Sequence, residues 1–317
     1  MRRLACLALL ALVALPAYAE RLRLATWNLE WLVTPATFGN LAPQCTAPGA
    51  RSGARDRALP CDALDAARRS DEDIARLARF AAQAAPDVVA LQEVDGAAAA
   101  AGVFPGYAFC FTQRRNVQNV GFAIRHGIPH RCNADYRVLA PAGSGLRYGA
   151  DVTLFPGSAG EIRLLGVHLK SGCASEPLTT PRESCALLQR QVPLLERWID
   201  ARAAEGVAFA VLGDFNRRFD RERKGALDDS GRLVAMWPEL NDGDPPGAEL
   251  VLAGGGPIAC GTRYDGRAPI DHVVLGRELA PALVSGSYRA WPYPAEGRWP
   301  DHCLISVELH LEGRHGV

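Results

Sequence analysis

Short apolar runs of strand length recur along this chain, and several stop abruptly at a carboxylate, an amide or an imidazole. Thr26-Trp27-Asn28-Leu29-Glu30, Leu91-Gln92-Glu93-Val94, Val167-His168-Leu169-Lys170-Ser171, Gly213-Asp214-Phe215-Asn216 and Asp301-His302 share this form, and Ile270-Asp271-His272 falls between the last two. Apolar runs bounded by turn residues read as buried strands. Polar groups at the ends of such strands lie where open α/β sheets assemble sites from distant segments.

Between the runs the pattern becomes helical, which predicts a layered α/β domain. Leu22 to Trp27 alternates as a strand. Ser70 can cap a helix whose first turn holds Asp71, Glu72 and Asp73, acids favoured at the positive helix end. Ile74, Leu77, Phe80, Ala81 and Ala84 give that helix one apolar face, and Pro86 marks its stop. Further strands are expected at 87–94, 109–112, 120–124, 136–139, 150–155, 162–169, 209–212, 273–275 and 304–309. A second long helix is expected over 182–204, with an inner face of Leu187, Leu188, Leu195, Trp198 and Ile199; Pro193 predicts a kink or an interruption. Two segments read as insertions. Residues 33–69 form a Pro-, Gly-, Ala- and Arg-rich loop that directly follows the Asn28 strand and could overhang a cleft. Residues 217–249 are charged, contain Pro245-Pro246, and could form a second wall. Solvated decoration is the plainer reading of both.

The first nineteen residues read as a targeting segment. Arg2 and Arg3 precede an apolar core, Leu4 to Leu15, too short to span a bilayer as a mature helix. Ala17-Tyr18-Ala19 is a small-x-small cleavage signal, which puts the mature start at Glu20 and the protein in the periplasm or outside the cell. An uncleaved anchor is the competing reading. Residues 20–317 are then a single catalytic domain with no later membrane-spanning stretch, so no stable membrane insertion is expected after cleavage. Eight cysteines remain, none in C-x-x-C spacing, and an even count in a secreted chain favours disulfides over a metal site. Nearest-neighbour pairing would join 45 to 61, 110 to 132, 173 to 185 and 260 to 303. Formal charge is balanced, which excludes a general electrostatic attraction to nucleic acid but not a nuclease, since a metal and a few local arginines can hold phosphate.

Asn, Glu, Asp and His gathered in one cleft suit a hard divalent cation and an anionic substrate, which points to metal-assisted phosphoester hydrolysis. With its six polar segments in order, the chain resembles the endonuclease/exonuclease/phosphatase superfamily, from about Leu22 to Leu309. That resemblance implies a four-layer α/β sandwich, two packed mixed β-sheets flanked by helices, with the site at one edge. It implies metal-site roles for Asn28, Glu93 and Asp301, with Glu93 the principal ligand. By the same analogy, Asp214 and Asn216 position the attacking water and the phosphoryl oxygens, His302 is the catalytic histidine, Asp271 is its orienting carboxylate and His168 is the second active-site histidine. Arg147, in Leu146-Arg147-Tyr148-Gly149, is a weaker match to a phosphate-contacting arginine. Two departures stand out. The further carboxylate that partners the first histidine in the family's secreted deoxyribonucleases is not found, and residue 272 is His where an aromatic or basic residue is often found.

Oxygen ligands favour Mg²⁺, with Mn²⁺ a substitute, and no tight His/Cys cluster supports Zn²⁺. Neither a Gly-x-Ser-x-Gly elbow nor a P-loop is present, so water is the expected nucleophile. Its base is either His302 backed by Asp271 or Asp214, and both stay open at this stage. Asn216 and His168 can donate hydrogen bonds to the developing oxyanion. Each residue also has a structural reading: a turn at Asn28, a helix cap at Asp214, a surface charge at Asp271, a half-buried histidine at 168. Trp27, Trp31, Trp291 and Trp299 suit packing better than base stacking, although Trp291-Pro292-Tyr293-Pro294 could line the cleft. The expectation is a secreted metal-dependent nuclease acting on a nucleic-acid phosphodiester, with no protein partner inferred. A phospholipid or sphingomyelin phosphodiesterase, a sugar-phosphate or nucleotide phosphatase, and a non-catalytic binding protein on the same scaffold are the rivals.

Overall fold

The structure is a computed structural model that describes residues 21–45, 59–114 and 116–311; the targeting segment at 1–19 lies outside the described residues. Among the described residues twelve strands run in chain order: β1 (Arg21–Leu32), β2 (Val88–Val94), β3 (Tyr107–Phe111), β4 (Asn119–Arg125), β5 (His130–Cys132), β6 (Ala150–Leu154), β7 (Ile162–His168), β8 (Ala208–Asp214), β9 (Leu250–Leu252), β10 (Asp271–Gly276), β11 (Arg289–Ala290) and β12 (Ile305–His310). Helices are α1 (Pro35–Leu41), α2 (Leu64–Ala67), α3 (Asp71–Ala84), α4 (Ala97–Ala101), α5 (Glu183–Ala204) and α6 (Trp237–Leu240). One six-stranded sheet has the order β11-β12-β1-β2-β4-β3, the other β5-β6-β7-β8-β10-β9. Both are mixed, because β1 pairs parallel with β2 and β7 with β8 while the other ladders are antiparallel.

Period-two alternation sorts each strand's side chains between two cores. Leu24 of β1 and Val88 and Ala90 of β2 meet Val152, Leu164 and Leu212 between the sheets. Their sequence neighbours Ala25, Val89 and Leu91 face outward against Leu77, Phe80 and Ala84 of α3. On the other side Leu165, Val167 and Val211 meet Leu188, Val192 and Leu195 of α5. The result is the expected helix–sheet–sheet–helix sandwich. A one-residue slip would move each strand's whole set to the wrong core, and each buried Leu or Val is worth about 1.5–3 kcal/mol, so register is strongly held.

The cap expected at Ser70 is present: its Oγ accepts from the Asp73 N–H at 3.1 Å while Asp73 accepts from the Ser70 N–H at 2.9 Å. Four disulfides join Cys45–Cys61, Cys110–Cys132, Cys173–Cys185 and Cys260–Cys303, the nearest-neighbour set.

Two sequence expectations need correction, and the choice left open at Pro193 narrows. Residues 136–139 are not a strand: Arg137–Leu139 is a 3₁₀ turn, because the Tyr136 hydroxyl donates to the Leu194 carbonyl of α5 at 2.7 Å and Leu139 is buried beneath that helix. Helix α5 is not interrupted at Pro193; apolar residues on both sides of the proline hold it on the sheet. Nor is segment 33–69 structureless. Among its described residues, α1 and α2 pack Phe38, Leu41 and Leu64 around Val33, Leu59 and Val117. Segment 217–249 carries Phe219, Met236 and Leu240 into the α5 core, so it is packed against the domain. Among the described residues, no helix is long and apolar enough to cross a membrane.

Candidate active site

Parallel strand pairs carry neighbouring residues to one edge, and each sheet has one such pair, β1 with β2 and β7 with β8. In the second sheet His168 closes β7 directly beside Asp214 at the end of β8, and Asp271 begins β10 on the other flank of Asp214. Gly213 permits this: a Cβ there would lie 2.0 Å from the Val167 carbonyl oxygen. In the first sheet Asn28 pairs with Gln92, one residue before Glu93. Glu30, Trp31, Glu93 and Asn216 all have left-handed backbones, with φ of 46°, 57°, 61° and 53°. Such conformations cost about 1–3 kcal/mol each in non-glycine residues and collect at functional sites.

Asp214 lies at the centre. Its Oδ2 accepts from the Asn28 amide at 3.2 Å, faces His168 Nε2 at 3.4 Å, and stands 3.9 Å from His302 Nε2. Its Oδ1 accepts from the Asn216 N–H at 2.7 Å. The Asn28 amide also donates to Glu93 Oε1 at 3.3 Å, while its own Oδ1 accepts from the Glu30 N–H at 3.0 Å. Asn28 thus presents donors, not an oxygen, to the two carboxylates. His302 Nδ1 lies 2.7 Å from Asp271 Oδ2. Asn216 Nδ2 and Arg147 Nη2 both donate to the Leu169 carbonyl, at 3.1 and 2.9 Å. Asp301 is partly exposed; its Oδ1 is 3.9 Å from His302 Nε2 and its Oδ2 accepts from Arg263. Asn28, His168, Asp214, Asn216, Asp271 and His302 are buried, whereas Glu93 keeps 16% of its side chain exposed and can meet a ligand. All nine residues singled out from the sequence therefore lie in this one region.

The electrostatics divide the histidines. Burial, followed by the nearby Arg147 charge, holds His168 well below the usual imidazole range, so it is neutral. Burial also opposes charge on His302, but the Asp271 and Asp214 carboxylates outweigh it and hold the ring well above that range. Burial pushes Asp214 up to about 7, with Asp271 and Glu93 adding to the effect against the opposing His302 charge. Glu93 is raised by burial, against His302 and Arg147. Among the described residues no group partners His168 Nδ1, in keeping with the carboxylate missing from the sequence. His272 faces away: it stacks on Phe219 at 4.2 Å and bonds the Arg217 carbonyl.

Sequence reasoning passed over several neighbours. Glu30 is raised by burial and then by the Asp301 charge, so it belongs to the same acidic mouth; its place two residues beyond Asn28 was the available signal. Tyr264 meets His302 edge-on at 5.4 Å, and Arg263 holds Asp301. Both sit on a loop that Cys260–Cys303 ties to the residue after His302. Tyr293 donates its hydroxyl to the His302 carbonyl and accepts from Trp27 Nε1 at 2.8 Å, so Trp27 and Tyr293 support the site from the core, while Trp291 is buried and donates to Ser306.

A family model described as "Endonuclease/Exonuclease/phosphatase family" matches residues 25–312. An endonuclease/exonuclease/phosphatase from Bacteroides vulgatus is similar in structure at a TM-score of 0.56 and 14% identity, covering 92% of this chain and 99% of the other. Truncated Caenorhabditis elegans TDP2 is similar at 0.54 and 13%, covering 92% and 97%. D. rerio TDP2 complexed with single strand DNA product is similar at 0.53 and 17%, covering 91% and 98%. At these identities the likeness shows the fold. No curated protein matches the sequence.

Proposed function

The chain belongs to the endonuclease/exonuclease/phosphatase family of phosphoester hydrolases, and from that premise we propose that it is a divalent-metal-dependent phosphodiesterase that cuts nucleic acid with an activated water. The observation that carries the reading is the set of donors and acceptors around Asp214, drawn from both sheets.

The acidic mouth fits a hard cation. Glu30, Glu93 and Asp301 are close enough for their charges to oppose one another, and their oxygens suit Mg²⁺ or Mn²⁺ better than a soft metal. Glu93 and Asp301 would hold it, with the Asn28 amide fixing the Glu93 carboxylate. When bound there, the ion supplies positive charge against the phosphoryl oxygens.

The chain's own residues supply the rest. The Asn28 amide and the Asn216 N–H fix the two oxygens of Asp214. With its proton affinity near neutrality, Asp214 is suited to orient a water and take its proton at Oδ2. Asp271 orients His302 and keeps it positively charged, so its Nε2 can donate to a non-bridging oxygen. This favours Asp214 over His302 as base. Neutral His168 donates from Nε2 at the same face, and the half-buried Arg147 adds fixed positive charge.

Single strand DNA as the product in the structurally similar D. rerio TDP2 supports a nucleic-acid substrate. Four disulfides and the character of residues 1–19 support a location outside the cytoplasm. The test is release of product from DNA, RNA, sphingomyelin, a nucleotide and a sugar phosphate, with Mg²⁺ and with EDTA. Intact DNA and RNA in the presence of Mg²⁺ or Mn²⁺ would remove the nuclease reading. Undiminished turnover in Asp214→Asn would remove the role given to that residue.

A further inference from the structure

One residue beyond Glu93, the strand ends open on a second feature that the hydrolytic chemistry does not use. A cavity of about 760 Å³ lies between α1, the start of α4 and the exposed side of β3 and β4. Its volume falls within the range of small-molecule sites. Phe109 and Phe111, both partly exposed, line one side with ring centroids 6.4 Å apart. Two nearly buried polar side chains line it as well, and each has an atom without a partner among the described residues: Thr112 Oγ1 and Asn119 Oδ1, in residues only 4% and 5% exposed. The Asn119 amide orientation is set by its Nδ2, which donates to the Asn116 carbonyl at 2.5 Å and leaves Oδ1 as an acceptor. Buried polar atoms are rarely left unpaired, so these two suit a polar ligand. Asn119 pairs across the sheet with Val94, which places the cavity beside the Glu93 end of the cleft. Arg114, also on its lining, acts electrostatically on both His168 and Arg147.

We propose that this cavity holds one nucleobase of the bound strand, resting on the nuclease reading above. The base lies against Phe111 and Phe109, donates an N–H of its edge to Asn119 Oδ1, and bonds Thr112 Oγ1. Aromatic rings accept any base face, while the two polar atoms require a ligand with hydrogen-bonding groups. An acyl chain would leave both atoms unpaired, so a lipid substrate does not explain them.

The experiment is calorimetric titration of the full mature protein, held in EDTA, with adenosine 5′-monophosphate and with ribose 5-phosphate, which lacks the base. Adenosine monophosphate should bind roughly tenfold more tightly, the scale of one base stacked on an aromatic ring. Thr112→Val, nearly isosteric, and Phe111→Ala should each cut that advantage at least fivefold. Phe111 lies across Gly121 on the neighbouring strand, so its variant could lose fold; Thr112→Val then decides. Equal binding of the two probes, no binding of the nucleotide, or an unchanged advantage in Thr112→Val overturns the proposal. Oligonucleotide cleavage in Mg²⁺ is measured separately. Its absence counts against the nuclease reading, while base discrimination in EDTA still decides the cavity.

Discussion

His302 Nδ1 and Asp271 Oδ2 stand 2.7 Å apart across thirty-one residues of sequence, and this contact decides the charge of the imidazole. Burial alone would strip the ring of its proton; the carboxylates of Asp271 and Asp214 keep it on to higher pH. Asp271→Asn removes the nearer charge, so His302 should lose its proton at lower pH. If charged His302 donates to the phosphoryl group, the alkaline limb of the pH–rate profile should move down and turnover at neutral pH should fall roughly 10²–10⁴-fold. An alkaline limb that stays in place would show that His302 is not the titrating group.

Glu93 separates metal binding from folding. Burial raises its proton affinity, so its charge is a burden on the metal-free fold. Glu93→Gln should leave the metal-free protein as stable as the parent or more so. The rise in melting temperature on adding Mg²⁺, expected for any ligand that binds only the folded state, should vanish in the variant. Its turnover should fall by at least about 100-fold. An equal Mg²⁺-induced shift in both proteins would place the metal elsewhere.

Gly213 should not tolerate a side chain. Its φ is 147°, and an added Cβ would collide with the carbonyl oxygen of Val167 on the parallel neighbour, which cannot swing aside. Gly213→Ala should therefore cost more than about 3 kcal/mol in urea unfolding. It should also lose activity in whatever fraction folds, since Asp214 follows directly. Parental stability would mean that β7 and β8 can separate without penalty.

His272 contributes to the loss of stability in acid. Its Nε2 donates to the Arg217 carbonyl at 2.8 Å, its ring stacks on Phe219, and burial pushes its pKa down to about 4. The unfolded chain takes up this proton near pH 6.5, well before the native protein does. Stability present above that pH is then lost as pH falls toward 4, by up to about 3 kcal/mol. His272→Phe gives up the hydrogen bond but should flatten the decline between pH 6.5 and 4 in urea-unfolding midpoints. Parallel declines in parent and variant would assign the acid sensitivity to other groups.

Much of the scaffold could be read from the chain because its causes are local. Alternation in Leu22–Trp27, the apolar run before Glu93 and the cap at Ser70 depend on neighbours within a few residues, and each formed as expected. Residues 136–139 were misread because a hydroxyl contact to α5, more than fifty residues away, outweighed a strand-like composition. Helix α5 runs on through Pro193 for a related reason: packing of a whole helix face outweighs one missing backbone hydrogen bond.

The same division holds at the site. By itself the sequence determined which polar side chains interrupt or flank the apolar runs, since period-two alternation and the places where those runs break are local properties. The tertiary structure decided what each one does. Whether Asn28 offers its oxygen or its amide, whether His302 or His168 carries charge, and whether Asp214 holds a proton near neutral pH all follow from charges and burial contributed by other strands. Distance and desolvation set those quantities, and neither exists until the two sheets close on each other.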